Sequence, residues 1–170
     1  MKKTKQITFC ALMSALGAVS LLLGGITRVL DLTAVVICAI LIFVVFSELK
    51  YQALIVYFVT ATLAFVLPIE KTVAVEYLIF AIYPILKPLF EKAGKIFGTI
   101  IKLAFMISSS LALVLIFRFV FMMVDIWYID LAFGIGLVLA YFLFDIALTR
   151  FKLYYFYKLR KQLRIDRFFQ

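Results

Sequence analysis

The opening stretch, MKKTKQITFCALMSALGAVSLLLGGI, constrains everything that follows it. Lys2, Lys3 and Lys5 precede about twenty residues without a charge, the length a helix needs to cross a bilayer. Basic residues beside a first span stay in the cytoplasm. That puts the N terminus inside and sets the direction of each later span. One face of this helix carries Ala11, Ser14, Ala15 and Ala18, with Gly17 beside them. Small residues at this spacing let another helix approach closely.

Of the 170 residues, 67% are hydrophobic, where a soluble domain is nearer half. A soluble chain of this size has no interior large enough to hide that much apolar surface. The fold class is therefore an all-α integral membrane protein. The net charge of +9 would suit nucleic acid, but the basic residues lie in short loops and tails beside apolar spans. Membrane topology explains that placement and nucleic-acid binding does not. The sequence has no histidine, which removes the commonest general base and metal ligand. Cys10 and Cys38 fall at different depths, which argues against a disulfide.

The hydropathy pattern predicts six helices over about 7–26, 32–46, 51–67, 72–90, 103–123 and 131–148. A basic cytoplasmic tail follows over 149–170, and the whole chain, 1–170, forms a single membrane domain. With both termini inside, fifteen Lys and Arg residues fall on the cytoplasmic side and three (Arg28, Lys71, Arg118) on or near the outside. This asymmetry is what orientation requires. The fourth span is the least regular. It carries Glu76 and then YPILKP, in which Pro84 and Pro88 each remove a backbone donor, so a kink is expected. Lys87, Lys92, Lys95 and Lys102 are read as a cytoplasmic connection, with EKAGKIFGTIIK as a surface helix. The lysine-rich start and the lack of a eukaryotic targeting signal suit the cytoplasmic membrane of a bacterium.

Charged residues inside spans are costly and mark function. Glu76, Arg118 and Asp145 qualify. Glu76 and Arg118 lie at similar depth near the outer side, where they either pair with each other or line an outward-facing pocket. Asp145 lies near the inner end, placed to pair with a basic residue at headgroup level or to meet a partner subunit. The outer loops add Arg28, Asp31, Glu70, Lys71, Asp125, Trp127, Tyr128 and Asp130. Pro84 is read as a static kink or as a hinge. No GxxxxGK[ST], HExxH or GxSxG occurs. The chain thus carries no P-loop, no cofactor motif and no set of catalytic residues, and it is read as a non-enzyme. Uphill transport would draw its energy from a partner or an ion gradient.

A small six-helix protein with basic tips, both ends inside and the motif Ala11-Leu12-Met13-Ser14-Ala15 resembles the substrate-binding S component of an energy-coupling factor (ECF) transporter. The resemblance implies that the small face of the first helix, Ala11, Ser14, Ala15 and Ala18, docks on a transmembrane coupling subunit driven by two cytoplasmic ATPases. It implies a site for a small polar, vitamin-like nutrient toward the outer face, covered by the loop between helices 1 and 2. By position, Arg28 and Asp31 would fall in that loop, and Glu76, Arg118, Asp125 and Trp127 near the pocket. The alternative is a non-enzymatic scaffold or assembly protein of the envelope, using its basic tail to hold anionic lipid or a cytoplasmic partner. A stand-alone carrier or lipid-modifying enzyme is a third reading, opposed by the missing histidine and the lack of an internal repeat.

Overall fold

The computed structural model describes residues 2–27, 31–68, 70–120 and 127–160. Seven α-helices are found among them: α1 (Lys2–Thr27), α2 (Asp31–Leu49), α3 (Gln52–Val66), α4 (Lys71–Phe80), α5 (Tyr83–Lys92), α6 (Lys95–Phe119) and α7 (Trp127–Tyr154). A π-helical turn, Tyr155–Leu159, continues α7. Five stretches are long and apolar enough to cross a membrane: Lys3–Thr27, Asp31–Leu49, Lys71–Lys92, Ile96–Phe119 and Asp130–Leu159. The α3 helix is apolar but has only 15 residues, roughly 22 Å against a hydrocarbon core of about 30 Å.

Successive helices run back and forth between two ends. One end holds the turn at Lys50 and is called the Lys50 end; the other holds Asp31 and Asp130. Between α2 and α3 Lys50 takes a positive φ of 45° and its N–H donates to Phe46 O at 3.0 Å, which closes α2 and reverses the chain. The α2 helix is the centre of the packing. It touches α1, α3, α4 and α5, and Val35, Cys38, Ala39, Ile42 and Val45 are fully enclosed. Gly17 lets α1 lie close to it: a methyl group there would meet Thr60 Cγ2 at 3.1 Å, and the Cys38 thiol donates to Gly17 O at 3.2 Å.

The expected fourth span is present as one apolar stretch, Lys71–Lys92, interrupted at Ala81 and Ile82 so that it divides into α4 and α5; this is the kink expected at the prolines. Pro84 has no N–H to offer Phe80 O, so the ladder cannot cross that point. The chain turns at Ala81 and Ile82, and Pro84 becomes a first-turn residue of α5, where a missing donor costs nothing. The last carbonyls of α4 have no partners within the helix. Two tyrosines from other helices supply them: Tyr57 Oη donates to Leu78 O at 2.7 Å and Tyr141 Oη to Ile79 O at 3.2 Å. The ring of Tyr141 stacks on Phe80 at 3.9 Å. A helix break inside an apolar bundle is thus satisfied from α3 and α7.

The connection after α5 is tighter than the pattern of lysines suggests. A surface helix over EKAGKIFGTIIK does not form; its second half is the start of α6, eight residues earlier than expected. Gly94 takes a φ of 97°, open to glycine. At Gly98 a methyl group would come within 2.4 Å of Phe90 O, so α6 folds back on α5 only because that side chain is missing. The sixth expected span extends further at both ends, as α7 and its π turn. It is anchored where Tyr155 Oη donates to Glu48 Oε1 at 2.9 Å and Arg160 Nε lies 3.1 Å from the same carboxylate. The tail beyond 160 lies outside the described residues.

Candidate functional site

The structure separates the charged side chains of the spans into three places. The first is at the Lys50 end, where α5, α6 and α7 meet. Lys87 is only 4% exposed. Its Nζ lies 2.6 Å from Asp145 Oδ1 and donates to Asp145 O at 2.8 Å and Thr149 Oγ1 at 2.7 Å. Those three contacts use all three protons of an ammonium. Tyr83 Oη donates to Asp145 Oδ1 at 2.6 Å. Around this core Lys102 reaches Glu91 at 3.5 Å and Asp145 at 3.9 Å, and Lys152 reaches Glu91 at 3.9 Å.

This network corrects one expectation and completes another. Lys87 is not a loop residue but a buried one within α5. Asp145 pairs with a lysine, as one of its two readings held, but the lysine comes from α5 and not from the basic run just after it. The signal in the sequence was spacing. Tyr83 and Lys87 are four apart, as are Asp145 and Thr149, so each pair shares a helix face.

The second place lies toward the opposite end, between α2 and α4. Asp31 opens α2, where an acid favours the helix N terminus. Glu76 is half-buried on α4, about a turn and a half from its start. Asp31 lies within electrostatic range of Glu76. Glu76 Oε2 is shut off from solvent and has no hydrogen-bond partner. A buried carboxylate oxygen ordinarily has at least one donor.

The third place is where the end of α6 meets the start of α7. Arg118 Nη1 lies 3.4 Å from Asp130 Oδ2, so the proposed ion pair between Arg118 and Glu76 is not formed. Asp130 sits at the start of α7, directly across from Arg118 near the end of α6, and takes the arginine first. Trp127 is 73% exposed and meets Tyr128 edge to face at 6.3 Å. The six residues expected around one pocket therefore divide. Asp31 and Glu76 come together, and Arg118 and Trp127 belong to a different pair of helices. Arg28 and Asp125 lie outside the described residues.

The small face of α1 divides as well. Ser14 and Ala18 are buried against the chain's own helices, at 5% and 8% exposure, and Gly17 is enclosed with them. Ala11 and Ala15 face outward, flanked by the exposed Leu12, Leu16 and Val19. Ala11 and Ser14 also border a shallow groove between α1 and α3, with Cys10, Gln52 and Ile55. Helical geometry decides the split. Residues 14, 17, 18 and 21 form one stripe against α2 and α3, and residues 11 and 15 form the next one round.

Among the described residues no group of three His, Cys, Asp or Glu side chains is close enough to hold a metal ion. No protein-family model, curated protein or solved structure matches the chain.

Proposed function

We propose that this protein is the membrane-embedded substrate-binding subunit of an ECF-type importer in a bacterial cytoplasmic membrane. In this reading the chain crosses the membrane six times, with α3 as a short span and the α4–α5 pair as a single broken one. Both termini and the Lys50 end are cytoplasmic, in keeping with the distribution of lysine and arginine. Glu76 and Asp31 then face the outside, and the basic tail lies against anionic lipid.

The observation that carries the reading is Glu76. An ionisable group within a span is retained for a reason, and here its buried oxygen has no donor among the described residues. Among the described residues Glu76 has no basic partner, which suits a small polar nutrient that brings its own cationic or N–H group. The outward Ala11 and Ala15 supply a close-packing stripe for the helices of a coupling subunit, which two cytoplasmic ATPases would drive. This chain carries no motif of its own for handling nucleotide energy.

Native mass spectrometry of the purified protein, alone and co-expressed with its host's coupling subunit and ATPases, tests both halves. A small molecule retained by the native chain and lost from Glu76→Gln supports the site. Loss of the coupling subunit from Ala11→Trp and Ala15→Trp supports the docking face. A chain that retains no molecule and binds no coupling subunit ends the proposal.

A further inference from the structure

The groove between α6 and α7 is built differently from the Glu76 site and lies on a different helix pair. It encloses about 610 Å³, within the range of small-molecule sites. Its walls are apolar: Ile107, Leu111, Val114, Ile135 and Leu139 among them. Gly134 deepens it, because the missing side chain leaves the floor open beside Val114.

Two polar groups interrupt this apolar surface. Ser110 lines the groove and is only 2% exposed, yet its hydroxyl has no hydrogen-bond partner. The neighbouring Ser109 turns back to Met106 O at 3.1 Å, the usual resort of a helical serine. Ser110 does not. At the other end of the groove lies the Asp130 carboxylate, whose Oδ2 is ion-paired with Arg118 at 3.4 Å without a well-formed hydrogen bond. Ser110 is eight positions from Arg118, the residue opposite Asp130. The two polar groups are therefore roughly 12 Å apart along the helix axis.

We propose that this groove is a second ligand site, for an elongated amphiphile that enters from the lipid. Its body is apolar and fills the space over Gly134. A hydrogen-bond donor at one end meets Asp130, and a hydroxyl or carbonyl oxygen at the other meets Ser110. A plain hydrocarbon chain or a wholly apolar helix face would leave Ser110 as it is.

Trp127 lines the mouth of the groove and is the only tryptophan in the chain, so its fluorescence reports occupancy directly. The probes are decylamine and its ω-hydroxy derivative, titrated into protein in lipid nanodiscs. The expected result is a saturable change with both, with the hydroxylated amine about fivefold tighter, the value of one hydrogen bond. Ser110→Ala should remove that preference while leaving decylamine binding unchanged. Gly134→Leu should abolish saturation for both probes. Gly136→Leu, which points into open space, should not, and serves as the folding control. A linear, unsaturable response in the native chain would be partitioning alone and would overturn the proposal. So would a preference for the hydroxylated amine that survives Ser110→Ala. Because Glu76 does not line this groove, Glu76→Gln should bind both probes as the native chain does, whether or not the importer reading holds.

Discussion

Lys87 and Glu76 are both charged side chains on the broken fourth span, eleven positions apart, and the protein treats them in opposite ways. Lys87 is the more deeply buried, and each of its protons has an acceptor. Glu76 is only half-buried, yet one of its oxygens has no donor at all. Burial alone would rank Lys87 as the functional residue. Satisfaction ranks them the other way. A charge whose hydrogen bonds are complete holds helices together, and a charge left incomplete has room for a ligand.

The largest expected effect sharpens this contrast directly. Lys87→Met leaves Asp145 without its main counter-charge and should destabilise the fold by about 3 kcal/mol. Thermal unfolding in detergent would register it as a lower midpoint. Lys87→Met combined with Asp145→Leu should recover most of that loss, because no charge is then stranded. Equal instability of the single and double variants would show that packing, not charge, is what Lys87 supplies.

Glu76→Gln should do the reverse. Ligand affinity should fall by about 2 kcal/mol, the value of a hydrogen bond to a charged group, with the unfolding midpoint held or raised. A marked drop in the midpoint would move Glu76 into the same class as Lys87. Smaller still is Tyr141→Phe, which removes the donor to Ile79 O at the helix break and should cost about 1 kcal/mol. The smallest effect belongs to Ala11→Leu. On an outward face it should change the stability of the isolated chain by less than about 0.5 kcal/mol. Ala18→Leu, on the buried stripe, should be the worse tolerated of the two, since overpacking a filled interface strains it.

Much of the architecture was legible beforehand. The apolar runs marked each helix, and Pro84 marked the interruption in the fourth. The boundaries at the α5–α6 turn were not legible. Lys92, Lys95 and Lys102 look like a loop, but Gly94 and Gly98 make a turn so short that Lys92 ends one helix and Lys95 and Lys102 belong to the next. The site was legible by residue type and not by grouping. Glu76 and Arg118 share a depth, which leaves open in the sequence whether they pair or line a pocket. Arg118 instead faces Asp130 across the α6–α7 hairpin.

The sequence by itself determined that this protein is helical and apolar enough for several membrane spans. Length, hydropathy and proline position are local properties, and a helix in lipid must satisfy its backbone within itself. Only the tertiary structure decided which charges are paired and which face of α1 is spent on the chain's own core. Those outcomes depend on the rotation of each helix about its axis and on which helix lies beside it. Lys87 and Asp145 are 58 positions apart, and nothing local in either segment names the other.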